Sequence, residues 1–157
     1  MNPILLVESF YDAFARKDDI TMHKCYHPAA HFSDPVFQDL NAEKTKAMWS
    51  MLLSRGGDLV VDLTHIEQRE QEVHAKWEAH YSFTQTGNKV HNQISAKMEF
   101  RDGLIVRHTD HFDLYKWCQM AFGWKGTLIG WAPFFQSKIR HFAMLGLEEY
   151  MSKPGGY

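Results

Sequence analysis

The sequence predicts an α+β fold, in which three helices precede a meander of strongly bent antiparallel strands and one more helix ends the chain. Two observations predict it. Apolar residues recur every three or four positions up to Gly56, and from Asp58 onward they alternate every second position. One sheet face cannot exclude water by itself, so the helices are expected to cover its concave side. The 157 residues fit one domain, 1–157, with a substantial core.

The first helix is expected from about Pro3 to Arg16. Asn2 is a good capping residue, and a proline suits the first helical turn. The apolar side chains that should form its buried face are Val7, Phe10, Tyr11 and Phe14.

Two more helices are expected before the sheet. Asp18 or Asp19 caps a short second helix, which Pro28 is expected to end. The third helix starts after Asn41 and ends at Gly56. The expected apolar positions are Met22, Cys25 and Tyr26 in the second helix, and Ala47, Met48, Met51 and Leu52 in the third.

Four strands follow, and their alternation shows which side chains should point inward. Asp102-Gly103 is a strong signal for a tight hairpin between the last two strands. The inward positions are Leu59, Val61 and Leu63; Val73, Ala75, Trp77, Ala79, Tyr81 and Phe83; Val90, Asn92, Ile94, Ala96, Met98 and Phe100; and Leu104, Val106, His108, Asp110, Phe112 and Leu114.

The segment after Tyr115 is expected to be an aromatic loop followed by a helix. Glycines interrupt the tryptophan-rich stretch 117–131, which therefore indicates a loop-rich lid or contact surface. Pro133 then opens a final amphipathic helix. Its expected buried side holds Phe135, Ile139, Phe142, Ala143, Leu147 and Tyr150.

Composition excludes several classes of function. The chain has 17 basic and 19 acidic residues and no basic run, so neither nucleic acid nor a membrane is an expected partner. The N-terminus resembles neither a signal peptide nor a membrane span. Cys25 and Cys118 are too few for a secreted disulfide scaffold, and free thiols favour a cytoplasmic location. The unusual features are 22 aromatic rings and 10 histidines.

Several short motifs in residues 3–115 are similar to those of one known superfamily. They are FYDAF at 10–14, CYHP at 25–28, FSDPVF at 32–37, AKWEA at 75–79 and FRDGLI at 100–105. They resemble the nuclear transport factor 2-like superfamily, and more narrowly its SnoaL-like and ketosteroid-isomerase-like branch. The resemblance implies a cone-shaped α+β barrel for residues 3–115, with 116–152 as an addition to it. It also implies a homodimer and proton-transfer chemistry without a cofactor.

Of three functional positions of ketosteroid isomerases, only one holds the same residue type in this sequence. Asp34 falls where ketosteroid isomerases keep their general base. Phe10 stands where they have a hydrogen-bonding tyrosine, with Tyr11 the nearest hydroxyl, and Ala96 stands where they have a second acid. Since loss of one such donor typically costs roughly 100- to 1,000-fold in rate, a standard steroid isomerase is rejected.

The candidate catalytic residues are Asp34, His108 and Asp110. A carboxylate among aromatic rings is desolvated, which raises its pKa, and a histidine beside an acid can shuttle protons. We therefore expect a small apolar cavity and an isomerase, cyclase or dehydratase acting on a small hydrophobic carbonyl compound. The candidate ligand-binding residues are Phe10, Tyr11, Phe14, Trp49, Trp77, Tyr81, Asn92, Ile94, Met98 and Phe112.

Structural interpretations of the same residues stay open. Asp34 before a proline can shape a turn, and His108 with Asp110 can form a purely structural pair. The aromatic inner face of the sheet can also be solid core without a cavity. The protein can also be a non-catalytic module that binds a small apolar ligand or a protein partner. No metal site is expected, because His108 and His111 face opposite sides of a strand. The rings at 117–135 are candidates for a lid or a dimer contact.

Overall fold

The computed structural model describes residues 2–154 and consists of six helices and six strands. The elements are α1 (Pro3–Ala15), α2 (Asp19–Lys24), β1 (Tyr26–Ser33), β2 (Leu40–Asn41), α3 (Ala42–Arg55), β3 (Val60–Arg69), β4 (Glu72–Ser82), β5 (Lys89–Arg101), β6 (Leu104–His111), α4 (Leu114–Phe122), α5 (Trp124–Ile129) and α6 (Pro133–Ser152).

One mixed sheet holds all six strands, in the order β2-β1-β6-β5-β4-β3. Strands β3 to β6 form the predicted antiparallel meander. Strand β1 lies parallel to β6, so the expectation of a wholly antiparallel sheet was wrong at this edge. The predicted α+β class with helices covering a curled sheet is confirmed.

Strand β1 occupies a segment that the sequence analysis assigned to the end of a helix. Pro28 was expected to stop that helix, yet α2 ends at Lys24 and Tyr26 already pairs with β6. The pairing register shifts between Tyr26 and His31, so the exposed Pro28 lies in a gap of the ladder where no N–H is needed. A proline therefore fits inside this strand.

The three N-terminal helices begin at the predicted caps. The side chains of Asn2, Asp18 and Asn41 each accept a hydrogen bond from a backbone N–H two or three residues further on, at 2.9, 3.1 and 2.9 Å. These bonds satisfy N–H groups that have no partner inside the helix. Gly56 is the residue that caps the end of α3, as predicted.

The inward alternation holds along β4 and β5 but is offset by one residue at the start of β6, before His108. Leu104 and Val106 were expected to point inward, yet both are half-buried and Ile105 is fully buried. An irregularity at Glu99 and Phe100 shifts the β5–β6 register. A bulge turns the following side chains to the other face, which local alternation cannot reveal.

The glycine-rich stretch after Tyr115 is helical, so the expected loop was wrong. Helices α4 and α5 pack closely because glycines line their contact: a Cβ on Gly126 would lie 1.9 Å from the carbonyl oxygen of Cys118. Pro133 begins α6 as predicted, but Phe142 is 65% exposed and only Leu147 of the expected inner face is fully buried.

The three C-terminal helices lie close to one end of the sheet. Strand β6 ends at His111, and α4 then runs beside the part of β5 that β6 leaves unpaired, with Met120 Sδ 3.5 Å from the N–H of His91. Helix α6 packs on α3, and Arg140 Nε donates to the carbonyl oxygen of Pro35 at 2.9 Å. Among residues 2–154, no helix is long and apolar enough to cross a membrane.

Candidate functional site

His108 lies at the centre of the interior, inside a box of aromatic rings. It is fully buried, and four rings have centroids between 5.0 and 6.1 Å from its own. Those rings are Phe10, Tyr26, Phe32 and Trp49. Such packing leaves the imidazole one orientation.

A chain of buried hydrogen bonds runs through His108 to Asp110. Trp49 Nε1 donates to Tyr26 Oη at 2.9 Å, so the tyrosine hydroxyl is free to donate to His108 Nδ1 at 2.7 Å. His108 Nε2 then carries the proton and donates to Asp110 Oδ1 at 2.8 Å. This tautomer gives every member a partner. The chain fixes the Asp110 carboxylate in one position and leaves Oδ2 available.

Asp34 lies in the turn directly after β1, where backbone hydrogen bonds hold one of its carboxylate oxygens. Its Oδ1 accepts hydrogen bonds from the backbone N–H groups of Val36 and Phe37 at 2.7 and 2.6 Å. Burial raises the pKa of Asp34 to about 7, although these hydrogen bonds to the carboxylate lower it. Asp34 therefore shapes a turn, as the structural interpretation held, and also titrates near neutral pH.

Electrostatic interactions connect four of the predicted site residues. After burial, the charge of Asp110 is a further cause of the raised pKa values of Tyr11 and Asp34. The pKa of Tyr81 is also raised. Burial is the main cause, and the charge of Asp34 adds to it. The structure thus brings Tyr11, Asp110, Asp34 and Tyr81 into one interior region.

Two buried donors in the described part of the chain have no hydrogen-bond partner. They are Tyr11 Oη and Trp77 Nε1, on side chains whose ring centroids are 5.8 Å apart. A buried unpaired donor costs about 1–3 kcal/mol, so such groups are rare in folded proteins. Asn92, 9% exposed on β5, lies opposite Ala79 on β4.

The other predicted ligand-binding residues divide into two groups. Phe10, Phe14, Trp49, Ile94 and Met98 are core side chains, at most 4% exposed. Tyr81 and Phe112 are only half-buried, and Trp117 Nε1 donates to Tyr81 Oη at 2.7 Å. Ligand binding by any of them remains a prediction.

Residues 7–108 match the family model of the SnoaL-like domain. The chain belongs to this family. The match places it in the nuclear transport factor 2-like superfamily that its motifs predicted. Helices α4 to α6 of the chain lie beyond the matched residues.

Several solved structures have the same fold as this chain. An M. tuberculosis LEH-like epoxide hydrolase has a TM-score of 0.64 at 19% identity, over 80% of this chain and 92% of its own. IdmH from Streptomyces antibioticus, a candidate polyketide cyclase, has a TM-score of 0.64 at 19% identity, over 74% and 96%. A candidate SnoaL-like polyketide cyclase from Jannaschia sp. CCS1 has a TM-score of 0.68 at 12% identity, over 77% and 92%. No curated protein matches the sequence. The SnoaL-like domain shares a fold with these proteins.

Sequence reasoning missed Tyr26, which links Trp49 to His108. It was placed on α2 because Pro28 was interpreted as a helix end, and its partner His108 is 82 positions away. The CYHP motif contained the tyrosine, but only the parallel pairing of β1 with β6 reveals its partner.

The outer face of the SnoaL-like domain carries a group of side chains of metal-ligand type. Glu78, His80 and His91 have ligand atoms within 4.8 Å of one another, close enough to share a metal ion. The sequence analysis considered spacing along single strands and so missed this set, in which His80 pairs with His91 across β4 and β5. Open depressions of about 170 and 330 Å³ also lie on the outer face. The predicted interior cavity, homodimer and cytoplasmic location stay predictions.

Proposed function

We propose that this SnoaL-like domain is an enzyme that moves protons on a small apolar carbonyl compound without a cofactor, as an isomerase, a cyclase or a dehydratase. The observation that carries the proposal is the pair of buried donors, Tyr11 Oη and Trp77 Nε1, in the same interior as two carboxylates. Because unpaired buried donors are costly, they favour a site that receives an acceptor oxygen from a ligand.

Asp34 is the proposed base. A group with a pKa near the working pH is suited to take and return a proton, and the pKa of Asp34 is about 7. Its Oδ2 takes a proton from the carbon next to the substrate carbonyl, and the electrons of that C–H bond form an enolate. Return of the proton to another carbon gives isomerisation. Attack of the enolate carbon on a second carbonyl gives ring closure.

Tyr11 and Trp77 are the proposed donors to the enolate oxygen. Donors that are already in place when negative charge develops are among the largest sources of rate enhancement. One of the two positions where the resemblance found isomerase donors missing has a close substitute, because Tyr11 follows Phe10 directly. Asp110 lies opposite Ala96 across β5 and β6, but it accepts the hydrogen bond of His108 and is not a donor in this scheme. The arrangement differs from the isomerase pattern, so a steroid is not the proposed substrate.

His108 is a positioning residue in this scheme. Both of its ring nitrogens are engaged, with Tyr26 and with Asp110, so neither is free for a substrate. Its effect passes through Asp110, whose fixed negative charge raises the pKa of Asp34. The fold relatives described as an epoxide hydrolase and a candidate polyketide cyclase make chemistry on small organic molecules a consistent assignment.

Deuterium exchange with a panel of compounds tests the proposed proton transfer. The protein is incubated in D₂O with small apolar ketones and enones, and incorporation of deuterium next to the carbonyl is followed by mass spectrometry. We expect exchange with at least one compound. Asp34→Asn should abolish it, and Asp39→Asn should retain it, since the Asp39 side chain is 79% exposed. Equal exchange in both variants would refute Asp34 as the base.

A non-catalytic binding module is the second candidate. The structural role of Asp34 favours it, because Asp34 Oδ1 accepts two backbone hydrogen bonds that hold its turn. A binding protein needs this turn as much as an enzyme does. Native mass spectrometry of the purified protein separates the two candidates. A small apolar ligand that co-purifies with both the wild type and Asp34→Asn, without exchange in the panel, would favour the binding module.

A further inference from the structure

We infer that the outer face of the sheet binds a divalent transition-metal ion such as Zn²⁺ through Glu78, His80 and His91. One ligand atom from each of these side chains lies within 4.8 Å of the other two. Within residues 2–154, no other group of three histidine, cysteine, aspartate or glutamate side chains meets this spacing. The site is therefore a specific one in the described part of the molecule.

The pairing of β4 with β5 puts the three side chains on one face. His80 and His91 are directly opposite each other in the ladder, and Glu78 lies two residues before His80. Side chains two apart on a strand point to the same face, and opposite partners have Cβ atoms about 4.5–5.5 Å apart. Ala79 and Asn92, the neighbours in sequence, are buried on the other face. The three ligands therefore point away from the interior site.

The positions of the ligand atoms suit a metal ion after small side-chain rotations. Bonds of about 2.0–2.2 Å to a tetrahedral Zn²⁺ put nitrogen and oxygen ligands about 3.3 Å apart. His91 Nε2 is now 2.6 Å from Glu78 Oε1, and the rings of His80 and His91 are stacked with centroids 4.0 Å apart. Both histidines are exposed and Glu78 is half-buried, so rotation of these side chains meets little packing. An ion can thus replace the hydrogen bond between His91 and Glu78.

Two imidazoles and one carboxylate select the class of metal. Imidazole nitrogen suits Zn²⁺, Cu²⁺ and Ni²⁺, whereas Mg²⁺ and Ca²⁺ prefer ligand sets made of oxygen. Gln93 Nε2 donates to Glu78 Oε1 at 3.4 Å, and such a partner orients a ligating carboxylate. Three protein ligands leave one position of a tetrahedron for water or a small ligand.

The charged side chains around the site do not oppose a cation. Asp62 on β3 lies directly opposite Glu78, and Lys76 lies two residues before Glu78 on β4. Lys89 lines the depression of about 330 Å³ beside the two histidines, but its Nζ is 3.8 Å from Asp58 Oδ2. The three carboxylates outnumber the two lysines. Because the histidines line this depression, an ion from solution can reach them.

Calorimetric titration of the protein without a histidine tag tests the inference, with ZnCl₂ as the probe. We expect one Zn²⁺ per chain, and an excess of MgCl₂ or CaCl₂ should not displace it. Zn²⁺ should also raise the urea midpoint of unfolding, since an ion that binds the folded state stabilises it. No binding of Zn²⁺, or displacement by Mg²⁺, would overturn the inference.

Matched variants assign the ion to the three ligands. His80→Phe and His91→Phe keep a ring that suits a strand but remove the ligand atom. Each should weaken Zn²⁺ binding at least about tenfold, as should Glu78→Gln, since loss of even an orienting partner typically costs about 10- to 100-fold. The control His31→Phe removes an imidazole that is 51% exposed and 2.9 Å from the Asp39 carboxylate, and should bind like the wild type. Equal loss in His31→Phe and His91→Phe would contradict the assignment.

NMR spectra of the imidazoles and the oligomeric state complete the test. One equivalent of ZnCl₂ should shift the ring resonances of His80 and His91 together and leave those of His31 unchanged. Sedimentation velocity with and without ZnCl₂ covers an ion that two copies of the chain share. Half an ion per chain together with a zinc-dependent dimer would overturn the site within one chain.

Discussion

Asp34→Asn is expected to make the protein more stable at neutral pH. Burial raises the pKa of Asp34 from 3.8 to about 7, so between these values the folded protein holds a proton that the unfolded chain has released. Stability therefore falls as pH rises through this window, and the loss is complete above the folded pKa. At about 1.4 kcal/mol for each pKa unit, the loss from this one group amounts to about 4 kcal/mol above pH 7.

An asparagine at position 34 removes the titration and keeps the turn. In the wild type, the backbone nitrogens of Val36 and Phe37 lie 2.7 and 2.6 Å from Asp34 Oδ1. The side-chain oxygen of an asparagine can accept the same two hydrogen bonds. The variant is isosteric, so packing around the turn is retained. The predicted difference therefore comes from the half-buried, desolvated carboxylate and depends on pH.

Urea unfolding between about pH 4.5 and pH 8.5 measures the effect. The free energy of unfolding of Asp34→Asn, relative to the wild type, should rise by up to about 1.4 kcal/mol for each pH unit and level off above pH 7. Asp39→Asn, at an exposed carboxylate, should show no such trend. A difference between Asp34→Asn and the wild type that is the same at every pH would refute the reasoning.

Three further predictions concern the interior and the C-terminal helices. Tyr26→Phe should lower the free energy of unfolding by about 2–4 kcal/mol in urea, because it leaves two buried partners of the hydroxyl unpaired; an unchanged value would contradict the chain. Gly126→Ala should lower the free energy of unfolding by at least about 2 kcal/mol, because its Cβ would lie 1.9 Å from a backbone carbonyl oxygen. The control Gly57→Ala has open space around its Cβ and should change the free energy of unfolding by less than about 0.5 kcal/mol. Cys25 and Cys118 are buried with pKa values raised to about 11 by that burial, so a thiol reagent at pH 8 should label them only after unfolding; rapid labelling of the native protein would contradict this.

Local signals in the sequence predicted most of the fold. The caps at Asn2, Asp18 and Asn41 act within three residues, so neighbouring residues were enough to identify them. The errors lie where distant segments decide the structure. Pro28 fits a strand because the β1–β6 register shifts beside it, and Gly126 allows two helices to touch where sequence reasoning predicted a break.

The candidate site was predictable in part for the same reason. Alternation along β6 identified His108 and Asp110 as inward residues, and both are buried. Alternation could not show that Tyr26 occupies one nitrogen of His108, or that the hydroxyl of Tyr11 finds no partner. Such facts depend on contacts between residues far apart in the sequence.

Tyr11→Phe tests the central claim most directly, because it separates a functional hydroxyl from a structural one. A buried hydroxyl without a partner lowers stability, so its removal should raise the free energy of unfolding by about 1–3 kcal/mol. The same change should slow carbonyl-directed deuterium exchange by roughly 100- to 1,000-fold, as expected for loss of an oxyanion donor. Tyr115→Phe, outside the site, should leave exchange unchanged. A Tyr11→Phe variant that is less stable and exchanges at the wild-type rate would contradict the account.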